Sequence, residues 1–539
     1  MRARLLVLLL GAALLSAAAA LRGTEYDEAY SLFLLAGTPR PAWPTAPFRA
    51  GAIRNVLAGH AGLPTIARAL RRTDVHPPLY FWSLALWRRV VGGGLFGLRL
   101  FSVGCALAAL ALVGAIARRV GVPPAAAMAF TLGCYGFVYT GAIARDFALA
   151  EALVLGGVWL ALGARGRPAA RAAAAGFVLG AACFANYLAA FQAAAVGLWL
   201  LSGRGGAASR EPPDEVSAPA SRATIVALTR RGPAIACLAG LLAWLPAGLW
   251  FFLAQRDSRA GQFPPFRWLP SLRLLARDGA GAVFGGRPLY LPGAGRVLAG
   301  GALALLLAAL AGLVLARWRL VAAGPARALL GLAALAPPVG LLALGLVFDS
   351  TPIELRYLAF ATPFLGLLLA GALGSLPRRA GRAIGAGVAC VQALALAGLL
   401  LGGETMQPAR ATAAAAARLA GRSGLVVLSR GNDGVGAVGP FLIEAPPWLH
   451  VLVADRAARA AVLRRVAGRY PRVVVAELSV DAASRAARRR LRAAFAGPGF
   501  REAPESWAGA GPSRPELRLF TPVTPRQAPG GPATISAAR

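Results

Sequence analysis

Asp27 and Glu28 stand just past the first apolar run of a chain that has only 22 Asp and Glu among its 539 residues. With Glu25 they put three acids into four positions, and like-charge crowding of this kind raises at least one carboxyl pKa, as a general base or a cation ligand requires. The same residues also describe a helix start, because acids favour the N-terminal turn for dipole reasons alone. The segment by itself leaves both readings open.

The elements that must carry these carboxylates are membrane helices. Hydrophobic residues make up 57% of the chain and charged residues only 15%, with a mean hydropathy of +0.61. That balance excludes a soluble globular protein and defines a mainly α, polytopic membrane bundle. The net charge of +35 would suggest nucleic acid in a soluble protein. Here the basic residues, all arginine, fall largely between apolar runs, so they set orientation and no nucleic-acid partner is expected. The five cysteines, Cys105, Cys134, Cys183, Cys237 and Cys390, lie inside apolar runs without CxxC spacing, which gives neither a disulfide framework nor a zinc site.

Apolar runs at about 4–21, 100–117, 124–143, 147–164, 172–188, 189–202, 233–253, 297–316, 328–348, 358–376 and 383–402 predict eleven spans. With the N-terminus inside, the arginines at 118–119, 165–171, 204–231, 317–327 and 378–382 become cytoplasmic. The arginine-rich loop at 254–296 is the exception, on the outer side. The same count makes 76–92 a helix lying on the membrane, opened by His76-Pro77-Pro78 and lined by Tyr80, Phe81, Trp82 and Trp87. Residues 1–21 are either the first span or a cleaved signal segment, and Asp27 lies outside in both cases.

Parity then gathers polar groups on one face. The outer turns hold Arg145, Asp146 and the deeper Glu151, Asn186-Tyr187, Gln255-Arg256, and Asp349 to Arg356-Tyr357. The short cytoplasmic turns show only Arg, Gly and Pro, whereas the outer turns combine Arg with Asp, Glu, Asn and Tyr. One face alone is equipped for chemistry.

The domain division follows the same pattern: a transmembrane domain over 1–402, with a first outer loop at 22–99, and a small α/β domain over 403–522. The latter is predicted from strands Leu425–Leu428, Val451–Ala454 and Val473–Glu477, separated by helical stretches at 456–468 and 482–496. Gly434, Gly436 and Gly439 fit GxGxxG, with Asp455 ending the next strand. Pro446-Pro447 cuts the following helix short, so these glycines are read as a turn and close packing, not as a dinucleotide site. Residues 523–539 and the loop 203–222 have disordered composition.

Taken in order, Asp27-Glu28, then His76-Pro77-Pro78-Leu79 with its aromatics, then Ala144-Arg145-Asp146-Phe147-Ala148-Leu149, then Arg356-Tyr357 before a late helix, resemble the GT-C membrane glycosyltransferases. The nearest likeness is to the bacterial branch of the protein-mannosyltransferase and aminoarabinose-transferase superfamily, glycosyltransferase family 39-like, and it covers roughly residues 1–402. The resemblance implies transfer of a sugar from a polyprenyl-phosphate donor to a protein, lipid or glycan acceptor, at the outer face of the bacterial cytoplasmic membrane. It implies Asp27 as general base supported by Glu28, and His76, Arg145, Arg356 and Tyr357 on the donor phosphate. His76 stands where the aminoarabinose transferases place a phosphate-binding lysine. Asp146, Glu151, Tyr187 and Gln255 are acceptor-side or supporting candidates. No organic cofactor is expected; a divalent cation on Asp27 and Glu28 stays open. A transporter or lipid flippase is the alternative, although the sequence has no internal repeat of the kind such proteins carry.

Overall fold

The computed structural model describes residues 1–163, 168–202, 232–256, 263–285, 293–402, 408–430, 434–454, 459–478, 482–496, 499–509 and 515–523. The expectations for 203–222, for Asp455 and for nearly all of 523–539 fall outside these residues.

Every apolar run becomes helix, but not every helix is long. Among the described residues seven helices are long and apolar enough to cross a membrane, from Arg2–Leu21 (α1) to Arg378–Leu401, and an eighth crossing arises if Gly232–Leu242 and Leu245–Gln255, bent by 56°, act as one. A straight span needs about 20 residues. Three of the expected eleven runs do not reach that length. The run at 124–143 breaks at Cys134, whose extended backbone separates Pro124–Gly133 from Tyr135–Gly141. The runs at 147–164 and 189–202 give the shorter helices Phe147–Ala161 and Tyr187–Leu201. By length and composition alone, seven or eight crossings are supported among the described residues, and the count of eleven is not confirmed. The predicted surface helix is Leu79–Val91, 13 residues with Pro78 as its N-cap and Tyr80, Phe81 and Leu84 buried against the bundle.

The decisive short element is α2, Tyr26–Leu35. Glu25 caps it, and the Glu28 side chain returns to the Glu25 N–H in a reciprocal capping box. With 3.6 residues per turn, α2 has three faces. Tyr26, Ala29, Tyr30 and Phe33 form one, Asp27 and Ser31 the second, and Glu28, Leu32 and Leu35 the third.

The C-terminal sheet has the order β1-β3-β2-β4-β6-β5, where β1 is Phe48–Arg49, β2 Leu425–Ser429, β3 His450–Ala454, β4 Val473–Glu477, β5 Phe500–Ala508 and β6 Glu516–Pro522. The three predicted strands are β2, β3 and β4, parallel and fully buried along β2 and β4, as strands covered on both faces must be. The boundary expected between loop and domain is crossed by β1: Phe48 and Arg49 of the first loop pair antiparallel with Val451 and His450. Ala29, Phe33, Phe48 and Ile53 share one hydrophobic core with Val426, Val438, Phe441 and Val451. The first loop and the sheet therefore lie on the same side of any membrane the helices cross. In a cysteine-free background, cysteines at the exposed positions Ala42 and Arg469 are expected to react with an impermeant maleimide from one and the same side; labelling from opposite sides would contradict the β1–β3 pairing.

Candidate functional site

The two adjacent acids have different surroundings because consecutive helical residues point about 100° apart. Glu28 is completely buried. Its Oε1 accepts from Arg99 Nε at 2.7 Å and the Ala144 N–H at 2.8 Å, and its Oε2 accepts from Arg99 Nη2 at 2.5 Å and the Glu25 N–H at 2.9 Å. Arg99 is equally committed. Its Nη1 donates to the carbonyls of Ala19 and Arg22, at 2.7 and 2.9 Å, and its Nη2 to that of Gly23 at 2.8 Å. The five N–H groups of a guanidinium thus find five acceptors. Burial pushes the Glu28 carboxyl up, but the Arg99 charge and the N–H donors outweigh it and hold it below the usual carboxylate range. With both oxygens taken, Glu28 cannot join Asp27 around a cation, and among the described residues no group of three or more His, Cys, Asp or Glu is placed to hold a metal.

Asp27 points the other way, is 15% exposed, and forms an ion pair with Arg356. Arg356 also pairs with Glu354, and its guanidinium carbon lies 5.3 Å from the centre of the Tyr357 ring. One turn along the same face of α2, Ser31 Oγ accepts from Arg145 Nη1 at 3.4 Å. The face carrying Asp27 therefore meets two guanidiniums, from two of the predicted outer turns. Residues one turn apart on a helix are about 5–6 Å apart at Cβ, a separation one phosphate could bridge.

His76 joins this group. Arg145 Nη2 lies 3.0 Å from its Nδ1 and 3.3 Å from its Nε2, and Nδ1 donates to Asp74 Oδ1 at 2.7 Å. Burial opposes ionisation of Asp74, yet His76 and Arg145 outweigh it and its carboxyl lies well below the usual range. The other face of the cluster is Asp146, fully buried, 4.0 Å from His76 Nε2 and 3.9 Å from Arg145 Nε. Both of its oxygens lack a hydrogen-bond partner among the described residues.

Gln255 and Tyr187 support the His76 turn from behind. Gln255 Nε2 donates to the carbonyls of Leu70 and His76, each at 3.0 Å, while its Oε1 accepts from the Tyr187 hydroxyl at 2.9 Å. Gln255 thus fixes the backbone at Leu70 and His76, and Tyr187 holds Gln255. Glu151 is buried in the Phe147–Ala161 helix with Oε1 unpartnered among the described residues. Arg99, Asp74, Glu354 and Ser31 were not singled out in the sequence. Arg99 had a signal, being a lone charge near the start of an otherwise apolar run, and Asp74 had one in its spacing of two from His76.

Neither a family model nor a curated protein matches the sequence. Solved structures do resemble the chain. ArnT from Cupriavidus metallidurans bound to undecaprenyl phosphate aligns over 96% of this chain and 97% of its own, at 13% identity and a TM-score of 0.48. The Archaeoglobus fulgidus oligosaccharyltransferase tethered with an acceptor peptide aligns over 82% of this chain and 59% of its own, at 13% identity and 0.40. The mycobacterial arabinofuranosyltransferase AftD aligns over 96% of this chain and 41% of its own, at 15% identity and 0.39. These are likenesses in the course of the chain, and the functional reading rests on the side chains above.

Removing Arg99 would strand a buried carboxylate, at a cost of about 3–5 kcal/mol. Arg99→Met is therefore expected to lower the thermal midpoint in detergent sharply. Because the folded pKa of Glu28 is depressed, its stabilising share is present at neutral pH and is lost as pH falls below the ordinary carboxylate range. Wild-type protein should lose stability on acidification more steeply than Glu28→Gln; equal slopes would contradict the assignment.

Proposed function

We propose that the chain is a membrane glycosyltransferase that moves a sugar from a polyprenyl-phosphate donor to an acceptor hydroxyl at the outer face of the bacterial cytoplasmic membrane. The carrying observation is Asp27, a partly exposed carboxylate on a helix face that also meets Arg356 and, one turn on, Arg145. A carboxylate paired with one guanidinium, on a helix face that one turn on meets a second guanidinium beside an imidazole, suits a reaction that takes a proton from one oxygen and releases a phosphate on another. The ordered resemblance to GT-C enzymes supports the same roles.

In this reading Asp27 accepts the acceptor O–H proton as the oxygen attacks the anomeric carbon. The bond from that carbon to the phosphate oxygen breaks on the opposite face, its electron pair leaves on the phosphate, and configuration inverts. Before the donor arrives, Arg356 is neutralised by Asp27 and Glu354. The donor phosphate would replace Asp27 on Arg356, freeing the carboxylate for the acceptor. Arg145 and His76 would take the remaining phosphate oxygens, since guanidinium matches phosphate bidentately. Tyr357 sets Arg356 from beneath, and Tyr187 and Gln255 hold His76 in place.

Purified protein given polyprenyl-phosphate sugar and an acceptor extract is expected to release free polyprenyl phosphate. Asp27→Asn should abolish release while inserting normally, and Arg356→Ala should weaken donor use more than acceptor use. Full activity in Asp27→Asn would overturn the base. Movement of intact sugar lipid across vesicles without release would favour a flippase instead.

A further inference from the structure

The glycines of the GxGxxG stretch have so far no function, and they sit against the helix that carries Asp27. A Cβ added to Gly436 would overlap the Tyr26 ring, and one on Gly439 would stand 2.8 Å from Phe33 and 2.9 Å from Ala29, inside normal contact. Tyr26, Ala29 and Phe33 form the face of α2 that points away from both Arg99 and the two guanidiniums. The remaining contacts converge on the same helix. Glu444 Oε1 accepts from the Thr24 N–H and hydroxyl, at 2.7 and 2.8 Å, just before α2 begins. Arg410 joins Glu444 Oε2 at 2.9 Å to the carbonyls of Leu21 and Arg22, at 2.9 and 3.1 Å. Trp43 Nε1 donates to the Gly434 carbonyl at 2.7 Å, and β1 extends the sheet.

We infer that the C-terminal α/β domain is a positioning device for the reaction, with Gly436, Gly439 and Glu444 as positioning residues that set where α2 holds Asp27. This rests on the transferase reading above. Glycine at 436 and 439 lets the backbone of the segment before and within Val438–Glu444 approach α2 closely, and a side chain at either position would have to displace the Tyr26 ring, or Phe33 and Ala29. The geometry also has a sequence consequence. A motif shaped like a phosphate-binding turn here binds a protein helix through its missing side chains.

A displacement of α2 by about 1 Å can cost about 100-fold in rate. Full-length Gly436→Ala is expected to lower kcat by about 10- to 100-fold with donor KM nearly unchanged. Removing the obstructing ring should undo this: Gly436→Ala with Tyr26→Ala should return to within about threefold of Tyr26→Ala alone, a rescue that general destabilisation of the domain cannot produce. Hydrogen exchange across residues 26–35 reports the same contact without the reaction, and should quicken in Gly436→Ala and in the milder Gly439→Ala. Folded Gly436→Ala with wild-type kcat and exchange, or a double variant that stays slow, would overturn the inference. Should the wild type release no polyprenyl phosphate, the transferase reading fails, and exchange alone then decides whether the domain holds α2.

Discussion

A single buried ion pair, Glu28 with Arg99, fixes the geometry on which everything else depends. Its cost is desolvation of two charges, and that cost is met only when every lone pair and proton finds a partner. Here it is met: the carboxylate accepts from Arg99 twice and from two backbone amides, while Arg99 spends its remaining donors on three carbonyls between the end of α1 and the start of α2. The pair therefore ties three pieces of chain together, the α1–α2 turn, the Leu95–Arg119 helix and the backbone at Ala144 beside Arg145. Such a network is intolerant of loss, since removing either partner leaves a charge stranded in the interior.

With that anchor in place, α2 distributes three tasks over three faces. Glu28 faces Arg99 and the bundle, Asp27 and Ser31 face the guanidiniums of Arg356 and Arg145, and Tyr26, Ala29 and Phe33 face the C-terminal domain. The arrangement explains why two adjacent acids need not share a role. One carboxylate has both oxygens saturated; its neighbour is partly exposed and, among the described residues, paired with a cation that a phosphate could claim.

Much of this was legible in the sequence. Composition and run length give the helical bundle, and the polar residues of the outer turns identify Asp27, His76, Arg145, Asp146 and Arg356, most of which the fold does bring together. Short continuous apolar runs likewise reveal β2, β3 and β4. What stays hidden is non-local. Phe48–Arg49 is too short to read as a strand until β3 supplies its partner. The break at Cys134 has no proline or glycine pair at the kink itself, so the run at 124–143 reads as one straight helix in the sequence. Arg99 reads as an ordinary interfacial charge because its partner lies 71 residues away. The division between Asp27 and Glu28 depends on which way each points, and adjacency in sequence cannot supply that.

The most direct measurement compares Asp27→Asn with Glu28→Gln, taking for each the thermal midpoint and the turnover per folded molecule. A structural Glu28 beside a reacting Asp27 predicts that Asp27→Asn stays stable and inactive, whereas Glu28→Gln loses stability but retains turnover in the fraction that remains folded. A stable, inactive Glu28→Gln together with an active Asp27→Asn would contradict it.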